Sequence, residues 1–532
     1  MTNLSSFSSK RLRGCVAALG VLALTASCAV GPDFLRPRPP AVSGYTPGPL
    51  AKKTAAAPVA AGEAQSYAEG MDISHQWWEV FRSKQLNALL TQSLKNNPDL
   101  QAAEEALRVA QENVKAQQGF FFPTIQAGYS PSRTELAGNE GGNSPGVQGN
   151  GAVIATTSNP PASAGGTPPF NAPVFYTFHT SEVTVGYVPD VFGLNRRTVE
   201  SLKAQAESQR FQLAAVYVTL TSNVVAAAVQ EASLRAQIAA TEDLVRINTD
   251  MLDILRKQYS HGYVMQADVA AQEAQLGQVL STLPPLQKQL AQGRDLLTAL
   301  AGRYSAEEVS EKFSLADLHL PRQLPLSLPS RLVEQRPDVR SAEEQMHSAS
   351  AQIGVAVANI LPQFSINGAL GGEASVFSEQ FWPSGQFFSL IGNVTQTIFD
   401  GGTLLHRKRG AEAAYKQAAL QYRSTVITAF QNVADTLRAI QYDASNLKAA
   451  SYAERATKVT LDVTRDQFKA GFTTYSAVLM AEQAYQQARI NTVQAQANRF
   501  ADTAALFQAL GGGWWNQPPA VKAAASQPPK HS

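Results

Sequence analysis

The chain contains itself twice. The stretch beginning at Asn97 (NPDLQAAEEALRVAQENVKAQQGFFFPTIQAGYS) aligns with the one beginning at Arg336 (RPDVRSAEEQMHSASAQIGVAVANILPQFSINGAL), setting Pro98 on Pro337, Glu104 and Glu105 on Glu343 and Glu344, and Pro123 on Pro362. A second gapless match sets Gln258–Gln275 on Gln467–Ala484, and its register still holds at Gly302 and Gly511. A unit this long, present only twice, is not a solenoid of small repeats. It requires two pseudo-equivalent halves with the same order of elements.

Within the first half, QWWEVF (Gln76 to Phe81) opens an amphipathic helix expected to reach about Gly119, with Leu86, Leu89, Leu90, Leu94 and Leu100 at helical spacing and Pro123 ending it. Two strands follow, Thr124–Ser130 and Thr177–Phe192; Val183, Val185 and Tyr187 alternate with polar or small residues, giving one apolar face. The second half repeats the pair at Phe364–Gly372 and Phe387–Phe399. From about Asn195 to Tyr259 neither proline nor glycine occurs, and roughly 65 helical residues at 1.5 Å each span on the order of 100 Å. Leu213, Tyr217, Leu220, Val224, Ala227, Leu234, Ile238, Val245, Leu252, Leu255 and Tyr259 follow alternating steps of four and three, a coiled-coil seam whose polar exceptions are Glu231, Thr241 and Asn248. Each long tract breaks at a glycine, in HGYV (His261 to Val264) or AGFT (Ala470 to Thr473), and resumes toward Gly302 or Gly512. The pattern predicts two long antiparallel helical hairpins.

At the N-terminus Lys10, Arg11 and Arg13 precede the apolar run Cys15–Ala26, too short for a membrane span and promptly followed by small residues. Residues 1–27 therefore read as a signal segment. Residues 28–75, rich in Pro and Ala, read as a solvated tether; 76–303 and 330–515 as the two repeats, joined by a linker at 304–329; and 516–532 as a disordered tail. Cys15 and Cys28 are the only cysteines, so neither a disulfide framework nor a cysteine-rich metal site is available. The Ser27–Cys28 junction resembles a bacterial lipoprotein signal, which makes Cys28 the acylated residue; ordinary secretion with an incidental cysteine is the alternative. Ala29, rather than an aspartate, follows Cys28, which in lipoproteins is an outer-membrane address. With 44 Lys and Arg against 42 Asp and Glu, the chain carries no basic footprint for nucleic acid. No catalytic constellation, cofactor motif or metal spacing is found, so the expectation is a protein that is not an enzyme.

Four amphipathic strands cannot close a membrane barrel alone, since the smallest have about eight. Three copies would supply twelve, and hairpins of this length suit the wall of a water-lined tube. A barrel continued by a helical tube is a conduit. The residues then resemble the TolC-like outer-membrane factors, in their lipoprotein branch: CAVGPDFLRP (Cys28 to Pro37), QWWEVF, the paired NNPDL and QRPDV, PDVFG (Pro189 to Gly193), IFDGG (Ile398 to Gly402), the two glycine-marked tips and LGGGWW (Leu510 to Trp515). The resemblance implies a fold that is mainly α with a membrane β-barrel, a homotrimer sharing twelve strands, and a tunnel reaching into the periplasm. It also implies a periplasmic adaptor and an inner-membrane transporter as partners, outer-membrane lipid around the barrel, and export of drugs, metals or similar small toxic compounds. A lipid-anchored periplasmic scaffold or adaptor without a pore is the rival reading, and it leaves the duplicated strand pairs unexplained.

The hairpin tips are the candidate periplasmic gate. The family's aspartate after the second tip falls on Met480 here, a residue that forms either a greasy constriction or plain helix packing. Asp268, Glu273 and Glu482 are the acidic candidates for a cation-attracting ring, against the simpler reading of solvated carboxylates. Tyr259 and Phe468 hold equivalent places before the two turns, as tip contacts or as seam packing. Trp382, Phe381, Phe387 and Phe388 are candidates for an aromatic girdle at the membrane interface, which Tyr129, Tyr176 and Phe175 would extend; an aromatic loop cluster away from lipid is the alternative.

Overall fold

The computed structural model describes residues 29–42, 44–136, 145–147, 153–155 and 174–517. The signal segment, Cys28 and nearly all of the expected tail lie outside the described residues. The chain forms β1 (Ser66–Glu69), a 3-10 turn (Trp77–Phe81), α1 (Lys84–Asn96), α2 (Pro98–Gln118), β2 (Thr124–Leu136), the short strands β3 (Pro145–Val147) and β4 (Val153–Ala155), β5 (Val174–Tyr187), α3 (Leu194–Ser260) and α4 (Gln266–Leu300). There follow β6 (Gln323–Leu326), α5 (Pro329–Gln335), α6 (Pro337–Ala358), β7 (Gln363–Ala374), β8 (Gln386–Thr395), α7 (Thr403–Lys469) and α8 (Tyr475–Ala509). The duplication is visible in the lengths: α3 and α7 each hold 67 residues, α4 and α8 each 35.

The single helix expected from Gln76 to Gly119 is instead three pieces. Pro98 disfavours helical geometry at Asn97, which adopts an extended ψ of 122°. The Asn97 side chain then accepts from the N–H groups of Asp99 (3.0 Å) and Leu100 (3.2 Å), restarting the chain as α2. Aspartates likewise start the two long helices. Asp190 accepts from the N–H groups of Asn195 and Arg196, both at 2.9 Å, and Asp400 from those of Gly402 (2.9 Å) and Leu404 (2.7 Å). PDVFG and IFDGG are therefore strand-to-helix corners.

Two compact units are distinguished. The first comprises residues up to Leu35, Gln111–Ala204 and His347–Gln417; it holds an antiparallel sheet in the order β2-β5-β7-β8. Here the N-terminal segment departs from the solvated tether expected of its composition. Arg197, buried in α3, donates to the carbonyls of Val30 (3.0 Å) and Gly31 (3.4 Å) and to the Asp33 carboxylate (2.7 Å). Gly31, at φ +95°, lies so close to α6 that a Cβ would stand 2.4 Å from the Gly354 Cα. Phe34 stacks on His347 with centroids 4.4 Å apart.

The second unit, Arg36–Ala110, Gln205–Met346 and Ala418–Ser532, holds the main core. Trp77 stacks on Phe507 at 5.2 Å, and Phe81, Leu86, Leu89 and Leu90 are buried with it among Val224, Val433 and Leu437. Residues 61–65 are gripped as residues 30–33 are: buried Arg499 donates to the carbonyls of Ala61 and Glu63 and to the Gln65 side chain. A segment with few internal hydrogen bonds offers free carbonyls, and guanidinium groups fill them. β1 pairs in parallel with β6, Ser66 opposite Gln323, tying this segment to the linker between repeats. LGGGWW is a turn: Gly513, at φ +70°, carries no Cβ that would meet the Ser74 carbonyl at 2.3 Å, and the Trp514 indole donates to the Gln335 carbonyl at 2.7 Å.

Candidate functional site

The register assigns every strand residue to a face. Ile125, Val185, Gly368 and Leu390 lie in one row across the sheet, and Ala127, Val183, Leu370 and Phe388 in the next. With Phe364, Ile366 and Val394 these make an apolar band on one face, which gives way to Ser181, Gln386, His179 and Arg133 toward the other end of the strands; Ile125, Leu370, Phe388, Leu390 and Val394 are each exposed in the band. The other face carries Gln126, Thr184, Ala369 and Ser389 in one row, with Thr124, Glu182, Asn367 and Asn393 around it. Apolar surface open to the outside on one side and polar surface on the other is the signature of a sheet set between lipid and water. Among the described residues, β2 and β8 each lack a second neighbour, so both edges are bare.

Phe388 faces the apolar side and is strongly exposed, as is Trp382 just before β8. Phe387 is a correction. Consecutive strand residues point to opposite faces, and Phe387, opposite Gly371, shares the polar side with Ser389 and so cannot stand beside Phe388 in one lipid-facing belt. Tyr129 packs edge-on against Phe377 at 5.7 Å, and Phe377 against Phe381 at 5.8 Å.

At the hairpin tips the two halves use one turn. Gly262 (φ +77°) and Gly471 (φ +79°) are left-handed; the N–H groups of Gly471 and Phe472 donate to Phe468 and Gln467, as those of Gly262 and Tyr263 do to Tyr259 and Gln258. This helix-ending motif needs glycine because a Cβ is disfavoured at that φ. Around it Leu255, Tyr475 and Val478 form a small core separate from the main one, with Met251, Val264, Val269, Phe468 and Leu479 packed on it. Phe468 meets Tyr475 with centroids 5.5 Å apart, whereas Tyr259 is half exposed.

A polar chain joins the two hairpins. The amide of Gln272 on α4 donates to the backbone carbonyl (2.8 Å) and side-chain oxygen (3.1 Å) of Asn248 on α3, and the Tyr475 hydroxyl on α8 donates to the Gln272 side-chain oxygen. Burial pushes the Tyr475 phenol well above its ordinary value, so it remains a donor. Further along, Gln483 donates to Gln275 at 2.8 Å and Arg489 to Asp243 at 3.1 Å.

The acidic candidates are not free charges. Asp268 accepts from the Met265 N–H at 3.0 Å and caps the start of α4. Glu273 pairs with Arg256 at 2.8 Å on the surface. Glu482 is only 1% exposed and pairs with Arg465 across the hairpin at 2.7 Å, so the carboxylate expected in a cation-attracting ring is spent inside the chain. Met480 is 65% exposed, which leaves it on an open helix face of the single chain. Tyr475, Gln272 and Arg465 were not singled out from sequence. Asn248, a polar break in the α3 seam, was the signal that could have led to them.

The model of the outer membrane efflux protein family matches residues 89–303 and 328–512. The chain is 25% identical over 439 residues to the pyoverdine export outer membrane protein OpmQ of Pseudomonas putida KT2440, covering 82% of this chain and 88% of that relative. It is 26% identical over 508 residues to the cation efflux system protein CusC of Escherichia coli O6:H1 CFT073, covering 95% and 99% of the two chains. Its fold is similar to the solved Campylobacter jejuni CmeC outer membrane channel, with a TM-score of 0.79 at 19% identity over 94% of this chain and 98% of that one.

Proposed function

The chain belongs to the outer membrane efflux protein family, and from that premise we propose that it is the outer-membrane channel of a tripartite efflux pump, conducting small toxic compounds passively from periplasm to exterior. The observation that carries this reading is the four-stranded sheet with an exposed apolar face, a polar face and two bare edges. A single sheet of this kind leaves unpaired backbone groups that hydrocarbon does not tolerate, so several copies must close it. Three copies, as a homotrimer, give twelve strands. The long hairpins then line a periplasmic tunnel, with the Tyr475–Gln272–Asn248 chain holding the tips. A periplasmic adaptor and an inner-membrane transporter would engage that end and supply the energy. OpmQ and CusC carry different cargoes by name, which fits selection by the inner-membrane partner rather than by the channel.

Purified full-length protein in planar bilayers should conduct, with larger or longer openings when Tyr475 is replaced. Absence of pores in the parent and the tip variant alike would leave the scaffold reading in its place. Cys28 is proposed as the acylated residue, anchoring the chain beside the segment that Arg197 holds. Two acyl chains make membrane attachment stable, at about 0.8 kcal/mol per buried methylene. Cys28→Ser should abolish incorporation of labelled fatty acid, and retained label would refute the anchor.

A further inference from the structure

The proposed anchor is attached one residue from the wall of a cavity. The Val30 N–H donates to the Phe192 carbonyl at 3.1 Å, and a Cβ placed on Gly193, at φ +80°, would stand 2.7 Å from the Ala29 Cα. Ala29 is therefore seated on the corner between β5 and α3, and Cys28 is its neighbour in the chain. The same corner, with the end of α2 and the start of β7, walls a cavity of about 290 Å³. All of these residues belong to the first unit.

Most of the lining is apolar. Phe120, Val188, Phe192 and Phe364 border the cavity together, the rings of Phe192 and Phe364 meeting with centroids 6.2 Å apart. Phe120 is 62% and Val188 58% exposed, so the single chain leaves apolar surface uncovered there. Phe364 also stands in the apolar band of the sheet, which sets the cavity at the foot of the surface assigned to lipid. One polar group is unmatched. The Gln117 amide donates to the Asn195 side-chain oxygen at 2.7 Å, while the Asn195 amide nitrogen is buried with no hydrogen-bond partner among the described residues. A buried donor of this kind calls for an acceptor. Hydrocarbon headed by one carbonyl would satisfy both features, and that is an acyl group.

We propose that this cavity receives one of the acyl chains carried by Cys28, its methylenes against Phe120, Val188, Phe192 and Phe364 and its linking carbonyl accepting from the Asn195 amide. A methylene occupies about as much room as a water molecule, ~30 Å³, so the cavity takes up roughly ten of them. The remainder of a longer chain continues onto the apolar band. A phospholipid of the bilayer has the same chemistry, but it would give up translational freedom on docking, which a chain fixed beside Ala29 has already lost. The inference rests on the acylation of Cys28 proposed above and adds the place of one chain. The lipid then packs the β5–α3 corner as well as holding it to the membrane.

Photocrosslinking tests the assignment. Cells making the full-length chain are supplied with a palmitate analogue bearing a diazirine near mid-chain, and the protein is irradiated in its membrane, digested and read by mass spectrometry. A chain attached to Cys28 should join the Cys28 peptide to peptides holding Phe120, Val188 or Phe364. A phospholipid instead leaves a lipid adduct without the Cys28 peptide, so the two donors are separated. Val188→Trp fills the cavity from an exposed position and should cut the joined products roughly tenfold without lowering the label on Cys28. Val188→Ala enlarges the space and should retain them. Label on Cys28 with crosslinks only to bilayer lipid or to other parts of the chain overturns the cavity and leaves the anchor standing. Phospholipid adducts at the cavity in place of joined products overturn the choice of occupant, and an undiminished yield in Val188→Trp overturns the site. An unlabelled Cys28 removes the anchor and the inference with it.

Discussion

Tyr475→Ala is expected to loosen both hairpin tips while leaving the rest of the chain folded. The residue is almost fully buried, and it is the largest member of a small core that is separate from the main one. Removing a buried aromatic side chain costs about 3–5 kcal/mol. The substitution also leaves the Gln272 side-chain oxygen without the donor it has now, at about 1–3 kcal/mol where water cannot replace it. The small core is separate from the main one, so the loss appears as local opening rather than global unfolding. Amide exchange across the α7–α8 turn should accelerate by roughly two orders of magnitude or more, since about 1.4 kcal/mol corresponds to tenfold. The apparent melting midpoint should barely move. Tyr475→Phe keeps the ring and loses only the hydroxyl, so its effect should be nearer tenfold, in keeping with about 1 kcal/mol for one hydrogen bond. Unchanged exchange at the tips in Tyr475→Ala, or an equal loss of protection in the Trp77 core, would show that the small cluster does not govern the tips.

That cluster marks how far the sequence could be read. The halves, the strand pairs and the hairpins were legible because each leaves a local trace: period-two alternation around Val183 and Val185, a proline-free and glycine-free tract from Asn195, and glycines at 262 and 471 whose left-handed φ the turns require. Polar breaks in the α3 seam were equally visible, and Glu231 and Asn248 both proved to be buried partners of α4 side chains. The partners were hidden. Arg465 and Glu482 stand 17 residues apart on helices running in opposite directions, so no helical spacing links them and Glu482 reads as an exposed acid until the hairpin is seen.

The N-terminal segment shows the same limit. Its proline content favours extended chain, as found apart from the short strand β1, but whether such a chain is solvated or seated depends on Arg197 and Arg499, which lie far along the sequence. Phe387 was a different kind of error, because adjacent strand residues face opposite ways whatever the tertiary structure. The repeat itself was legible in full.

Glu231 carries the second large effect. It is fully buried in α3, and one of its carboxylate oxygens accepts from Arg235 (2.6 Å), one turn along, and from Arg294 (2.8 Å) on α4. Arg294 in turn donates to the Glu308 carboxylate and to the carbonyls of Val309 (2.6 Å) and Glu311 (3.1 Å), so it fixes the segment leaving α4 to the first hairpin. Glu231→Ala removes the buried carboxylate of that arrangement and leaves the Arg294 guanidinium with the more exposed Glu308 alone, a loss that approaches the about 3–5 kcal/mol of a broken buried pair. Glu231→Gln preserves the volume and an acceptor but not the charge, and should cost less. Because removing one partner strands the other, Arg294→Met should be harmful alone, yet much less so when combined with Glu231→Leu. Double-mutant coupling of this kind runs to about 0.5–3 kcal/mol for residues in contact, and urea midpoints in detergent for the four chains would measure it. A Glu231→Ala loss no larger than that from removing the exposed Lys469–Asp466 pair, or strictly additive double substitutions, would mean that the hairpin is held by its apolar seam alone. The contrast between the two sites follows from where each lies: Tyr475 closes the free end of the hairpins, where opening is cheap and local, whereas Glu231 sits beside the main core, where a stranded charge loads the cooperative unit as a whole.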